Sequence, residues 1–271
     1  SYYERYQKEL KSTGKDFSII PHNTNYILPY SYNWNPNRGL NKGRFSKNEG
    51  DGTGDIHQSE AKSQISFKFP VVKNLMDDQI SIWFGYTQKS FWQLYNSDIS
   101  RPFRENNYEP ELLCFHEPYE NLEIFGLKNV MNTISLNHQS NGMSGDLSRS
   151  WNRIKGSMVF EKDNHSIIFE PWYRIPADPK TDDNPDIDDY MGHFKLTYVF
   201  KVGEELCDLS VWNNLDFSDD NRTSMEFNWT FPLGEKMKGI VQYFNGYGES
   251  LLNYNHRAQR IGVGFLLTDG L

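Results

Sequence analysis

From residue 64 to the end, apolar and polar residues alternate in one segment after another. "ISFKF" puts Ile65, Phe67 and Phe69 on one face, and "ISIWFGYTQ" does the same with Ile80, Ile82, Phe84 and Tyr86. "HFKLTYVF" offers Phe194, Leu196, Tyr198 and Phe200, and "MEFNWTF" offers Met225, Phe227, Trp229 and Phe231. "RIGVGFLL" then contributes Ile261, Val263, Phe265 and Leu267. Period-two alternation over such lengths predicts strands with one apolar face. About twelve such strands are expected, several near the 9–11 residues of a membrane-spanning strand. Earlier in the chain only "NYILPYSY" reads as a strand, while "NKGRFSKNEGDGTGDIHQSE" reads as a long loop. The expected organisation is one barrel domain over 1–271, with an N-terminal extension at 1–24 and a long loop at 35–62.

The opposite faces carry polar rows: His193, Lys195, Thr197 and Lys201 in one strand, Ser224, Glu226, Asn228 and Thr230 in another. A soluble sandwich with a wet outer face fits that pattern equally well. Strand length, aromatics gathered near strand ends and an apolar-faced strand close to the C-terminus favour closure in lipid, where no sheet edge survives. The fold expected is all-β: a twelve-stranded antiparallel transmembrane β-barrel.

Composition agrees. Mean hydropathy is −0.73 and no run approaches the roughly 18 apolar residues of a transmembrane helix. Aromatic residues still make up 15% of the chain, which suits a barrel with interfacial girdles. A net charge of −8 without a basic stripe excludes nucleic acid as a partner. Cys114 and Cys207 have no metal-ligand spacing and are either bridged or free. The opening "SYYERYQKEL" lacks the basic and apolar regions of a signal peptide, as expected of a processed chain. Asp51, Thr53 and Asp55 are spaced like calcium ligands, but Ile56 stands where an EF-hand needs Gly, so a solvated loop is expected.

Candidate chemistry sits in "ISLNHQSNGMSGDLSRSWNRI", residues 134–154. It lacks the G-x-S-x-G elbow. Alternation puts Ile134, Leu136, His138 and Ser140 on one face, and beyond a polar loop Asn152, Ile154, Met158 and Phe160 on another, with Arg153, Lys155 and Ser157 opposite. In a barrel the apolar rows face lipid, so the His, Ser and Asn would lie outside the wall near the membrane surface. Ser needs a base to become a nucleophile, and a base needs an orienting acceptor. Asn152 offers a carbonyl oxygen, and no acid lies in the two rows. Gln88 extends the Ile80–Tyr86 row in the same way. The plainer reading is that these groups only mark where strands enter the polar interface.

At these residues the chain resembles the outer membrane phospholipase A family. The resemblance rests on "NHQSNG" (137–142) and "SRSWNR" (148–153), with further blocks at "YTQKSFWQL" (86–94), "RPFRENNYEP" (101–110), "TDDNPDI" (181–187), "YMG" (190–192) and "GYGESLLNYN" (246–255). It runs from about residue 60 to the C-terminus, with "NTNYILPYSYNWN" matching earlier.

The resemblance implies a bacterial outer-membrane phospholipase A1/A2 that uses calcium to hydrolyse acyl esters of phospholipids and lysophospholipids and is activated by homodimerisation. It implies Ser140 as nucleophile, His138 as base, Asn152 as orienting residue, and the Gly142 amide in the oxyanion hole, aided by calcium-bound water. Calcium would be held by the Met143 carbonyl, the Ser148 hydroxyl and Ser100 of a second chain, with a weaker site at Asp183. Asp182 is the other acid considered there; Asp186, Asp188 and Asp189 read as solvated charge. Gln88 would lie in the dimer interface. Two departures stand out: Met143 where the family often has Arg, which removes a charged contact to headgroups, and a terminal Leu271 where such barrels usually end in an aromatic. The rival functions are a non-catalytic porin or structural barrel and a soluble sandwich-fold esterase.

Overall fold

The structure, a computed structural model, describes residues 18–41, 55–76, 80–119, 122–235 and 237–268, together with residues 8, 44 and 45. Asp51, Thr53 and Leu271 lie outside the described residues. Twelve strands form the wall: β1 (Asn25–Asn33), β2 (Ser59–Leu75), β3 (Ile80–Trp92), β4 (Phe103–His116), β5 (Leu127–Ser140), β6 (Ser150–Lys162), β7 (His165–Ile175), β8 (Phe194–Val202), β9 (Glu205–Asn213), β10 (Thr223–Leu233), β11 (Met237–Gly246) and β12 (Ala258–Thr268). Each pairs antiparallel with its neighbours in the chain, and β12 pairs with β1, so the sheet closes and no long edge is left. The barrel is the expected one. No helix among the described residues is long and apolar enough to cross a membrane; the strands do so instead.

Burial is inverted relative to a water-soluble protein. Ile134 and Leu136 are 64% and 54% exposed, whereas Ser135 and Asn137 between them are 4% and 3% exposed. The same holds around the wall: Ile65, Leu112, Leu196, Val263 and Leu267 are exposed, and Lys62, Glu105, Thr197 and Gln242 are buried. Only a lipid surround makes apolar-out, polar-in favourable. The sandwich reading fails on this point, because a sandwich buries its apolar rows. Phe160, expected on the outward row, is buried at 2%, beside the register shift between Asn129 and Met131. Cys114 on β4 and Cys207 on β9 are both free.

Alternation also breaks in β1, where the sequence dictates it. Pro29 has no N–H to give, and β1 slips against both β2 and β12 at this point. As a result Leu28 and Ser31, an odd number of positions apart, are both fully buried.

The lumen is bridged by charge. Glu60 accepts from Arg104 at 2.9 Å and from Arg260 at 2.7 Å. Glu249 pairs with Arg260 at 2.8 Å and with Lys62 at 3.1 Å. A second group joins Glu109 to Arg153 at 2.9 Å, and Glu111 to Lys155 and His22 at 3.3 Å each. His22 belongs to the segment before β1, whose Ile20 and Pro21 pair with Lys68 and Phe67. Its ring packs against Gly85, where a Cβ would lie 3.1 Å from the imidazole. A cavity of about 370 Å³ remains between these groups.

Over one mouth, the 176–193 and 247–257 loops pack Ile187, Leu251 and Tyr254 onto Trp151. The Tyr254 hydroxyl donates to Asp186. Burial, then that hydrogen bond, pushes the phenol above its ordinary range, so it stays protonated. Removing Glu60 by Glu60→Ala leaves two guanidinium groups buried without their shared partner. The expected loss is about 3–5 kcal/mol of stability, read as an earlier unfolding midpoint in detergent and urea. An unchanged midpoint would mean the bridge contributes nothing.

Candidate active site

Strands β1, β3, β5, β7, β9 and β11 all run toward one end of the barrel, so the loops 93–102 and 141–149 share that end with the 176–193 loop. His138 and Ser140 close β5, and Asn152 opens β6. Both strands enter the 141–149 turn there because polar residues take over from the apolar row.

Register fixes the surroundings. His138 faces Asn152 directly, and Ser140 faces Ser150 on one side and Tyr108 on the other. Tyr108 in turn faces Gln88, so Gln88, Tyr108 and Ser140 form one row across β3, β4 and β5. At the usual strand spacing Gln88 stands roughly 10 Å from Ser140 along the wall. Two same-face steps toward the bilayer centre, Phe84, Leu112, Leu136 and Ile154 line up as a band of apolar side chains.

His138 and Asn152 are exposed on the outer wall and Ser140 is half-buried, while Arg153 is 5% exposed inside the lumen. With its proton on Nδ1, His138 donates to Asn152 Oδ1 at 2.8 Å. That leaves Nε2 as the acceptor on the ring. Ser140 and His138 are alternate residues, so their Cα atoms are roughly 6.5–7 Å apart on the same face. No hydrogen bond joins their side chains among the described residues, and catalytic contacts are often long without substrate.

The turn that follows is built on Asn141, 3% exposed. Its Oδ1 accepts from the amides of Met143 at 3.2 Å and Arg149 at 3.0 Å, and its Nδ2 donates to the Leu147 carbonyl at 2.8 Å. Gly142 has φ +65°, the left-handed region. A Cβ there would sit 3.0 Å from Tyr108 Cε2. Glycine is thus needed both for conformation and for room. Its amide makes no hydrogen bond among the described residues and is left to act as a donor.

Beyond the turn, Ser148 Oγ donates to Asp183 Oδ2 at 2.5 Å. The loop carrying Asp183 is fixed by Arg174, which donates to both oxygens of Asp182 at 2.8 and 2.7 Å and to the Asn184 carbonyl at 3.1 Å. Asn184, fully buried, accepts from the Ser150 amide at 2.9 Å. Asp182 is therefore engaged by Arg174, and Asp183 is the acid brought to Ser148. Among the described residues no three His, Cys, Asp or Glu side chains cluster around a point. The oxygens available are a hydroxyl, a carboxylate and main-chain carbonyls, a donor set that suits calcium.

Ser100 stands apart from these. It is exposed in the 93–102 loop with φ +64°, and Arg101 follows at +54°. Buried Gln93 and Asn96 brace the loop, with the Arg101 amide donating to the Asn96 carbonyl at 3.0 Å. Two successive non-glycine residues with positive φ are strained. Gln88 lies half-buried on the outer face, accepting from the Tyr86 hydroxyl at 3.1 Å and donating to Ser90 at 3.1 Å.

Tyr108, Asn141, Arg174 and Asn184 were not singled out in the sequence. Parity would have put Tyr108 on the outer row of its strand, whereas the other three act through loop geometry that alternation does not encode.

The molecule is thus a membrane-spanning β-barrel with hydrolase-type residues on its lipid-facing wall. The phospholipase A1 family matches residues 3–267. Phospholipase A1 of Klebsiella pneumoniae is 35% identical over 261 residues, covering 96% of this chain and 86% of that protein. The Salmonella typhi outer membrane phospholipase, a dimer with bound calcium, has a TM-score of 0.84 at 33% identity and covers 95% of each chain. An active-site mutant of Escherichia coli outer membrane phospholipase A, with asparagine replaced by alanine, has a TM-score of 0.83 at 32% identity over 95% of each chain. The chain belongs to the phospholipase A1 family. It is an ester-hydrolysing enzyme acting on phospholipids.

Proposed function

We propose that this outer-membrane phospholipase, one barrel domain over 1–271, cleaves acyl esters of phospholipids and lysophospholipids with Ser140, His138 and Asn152, in a calcium-dependent homodimer. The observation that carries the reading is the 2.8 Å hydrogen bond from His138 to Asn152, on the lipid-facing wall beside Ser140. His138 Nε2 takes the Ser140 proton as Oγ attacks the ester carbonyl, and Asn152 holds the tautomer that makes this possible. The Gly142 amide donates to the oxyanion. The ester C–O bond then breaks, and His138 returns the proton to the departing alcohol. Water, deprotonated by the same ring, releases the fatty acid and restores Ser140.

The Ser148 hydroxyl and the Met143 carbonyl would hold calcium, and the Asp183 carboxylate, hydrogen-bonded to Ser148, would mark the weaker second site. The ion, when bound, would supply positive charge to a developing oxyanion. Few protein oxygens per chain favour a ligand from a second copy, and exposed Ser100 would give one. The Salmonella typhi relative, a dimer with bound calcium, supports a calcium-binding dimer.

The test is phospholipid and lysophospholipid hydrolysis in detergent, with calcium and with a chelator. Activity is expected to vanish with the chelator, and Ser148→Ala or Asp183→Asn should need about tenfold or more extra calcium. Hydrolysis indifferent to chelator would contradict the calcium assignment.

A further inference from the structure

The outer wall carries a second polar and aromatic surface on β12 and β1, four strands and roughly 19 Å along the wall from β5. Asn245, Gln259 and Trp34 stand at one level: Asn245 pairs with Gln259, whose carbonyl accepts from the Trp34 amide at 2.9 Å. One same-face step toward the bilayer centre come Tyr243, Ile261 and Tyr32, again in register. Below them Val263, Phe265 and Leu267 are exposed on the apolar row. Tyr and Trp gather where hydrocarbon gives way to headgroups. Arg257, one same-face step beyond Gln259, is therefore held at headgroup height.

Its exposed side chain is oriented, with Nε donating to Asn245 Oδ1 at 3.2 Å, and its carbonyl accepts from Asn35 Nδ2 at 2.7 Å. The two terminal nitrogens make no hydrogen bond among the described residues. Arg38, exposed as well, follows three residues after Asn35, at most roughly 10 Å along the backbone. Neither arginine has a carboxylate partner among the described residues, on a chain of net charge −8. Guanidinium groups match phosphate with parallel donors.

The location narrows the ligand. Connections such as 176–193 and 247–257 lie at this end, and the short turns at 163–164 and 203–204 at the other, so this end faces outside. The outward leaflet of a bacterial outer membrane is built of phosphorylated glycolipid. Trp34, 48% exposed, offers a ring face to a sugar. Gln259 Nε2 donates to the Tyr243 hydroxyl at 3.0 Å, which leaves Oε1 as an acceptor. The apolar row from Ile261 to Leu267 lies beneath for acyl chains. We propose that β12 and β1 bind the phosphorylated sugar head of a glycolipid, with Arg257 and Arg38 on its phosphates.

The test is native mass spectrometry of the full chain released from detergent, with a chelator present so that no divalent cation bridges phosphate to carboxylate. Diphosphoryl lipid A, dephosphorylated lipid A and dialkyl-ether phosphatidylglycerol, which has no acyl ester to cleave, are titrated in turn. One diphosphoryl lipid A per barrel is expected, bound about tenfold or more tighter than either other lipid. Arg257→Gln and Arg38→Gln should each weaken it about tenfold, and Arg257→Lys should recover part of the loss. Phosphatidylcholine hydrolysis with calcium restored should be unchanged in all three variants. Unchanged lipid A affinity in both Gln variants would overturn the proposal, and so would equal binding of phosphatidylglycerol or of the dephosphorylated lipid. Loss of hydrolysis together with binding would make these arginines structural and overturn it too. Variants that bind lipid A normally but dimerise less with calcium would assign the surface to a second copy instead.

Discussion

Replacing Ser140 by alanine is expected to lower phospholipid hydrolysis by on the order of 10⁴–10⁶-fold while leaving the barrel folded. The side chain is small, half-buried and at a strand end, so truncation should shift stability by no more than about 0.5 kcal/mol. His138→Ala should cost as much, because nucleophile and base act as a unit and neither works alone. Asn152→Ala should retain more, with a loss on the order of 10–10²-fold. It removes the 2.8 Å hydrogen bond that orients the ring but leaves the ring itself in place. Initial rates on detergent-dispersed phospholipid, with unfolding followed in parallel, separate these outcomes. Near-native turnover in Ser140→Ala or His138→Ala would take that residue out of the mechanism.

The second large effect concerns assembly. A nucleophile on the lipid-facing wall would degrade its own membrane if always active, so activity needs a condition that a single barrel does not meet. Ser100 is held exposed in a strained backbone by buried Gln93 and Asn96, and Gln88 shares a row with Tyr108 and Ser140. If Ser100 of one chain completes the calcium shell of the other, calcium and dimerisation must each promote the other by one coupling free energy. For native protein, dimer fraction and activity should rise together with calcium. Ser100→Ala should need about 5–150-fold more calcium for both, the range of a coupling of about 1–3 kcal/mol. Free Cys114 offers a reporter, since it sits on the outer face of β4, facing Ile82 of β3. Full activity in a demonstrably monomeric sample, or a dimer fraction unmoved by calcium, would refute the coupling.

The wall was readable because lipid on one side and a polar lumen on the other enforce alternation, and alternation is visible in a single chain. Ile134, Leu136 and Ile154 mark the outward rows in the sequence as they do in the structure. The signal fails where both faces are polar. Ser59, Glu60 and Lys62 begin β2 inside a stretch that reads as loop, since their partners Arg104, Arg260 and Glu249 lie far along the chain. Likewise the pairing of Ile20 and Pro21 with β2, and the placement of His22 in the lumen, depend on contacts that no local pattern announces. In the candidate site, parity was enough to bring His138, Ser140 and Asn152 to one face. The Ser148–Asp183 contact was not legible from spacing, because it depends on how Arg174 and buried Asn184 fold the 178–186 segment back over the turn.

The most direct test of the account is covalent labelling. A lipid-soluble serine-reactive reagent with a long acyl tail, applied to native protein in detergent with calcium, should modify Ser140 alone, mapped by peptide mass spectrometry, and should inactivate the enzyme in proportion. A membrane-impermeant polar reagent of the same reactivity should label it poorly. A label on another residue, or equal labelling by the polar reagent, would contradict a nucleophile at Ser140 on the lipid-facing wall.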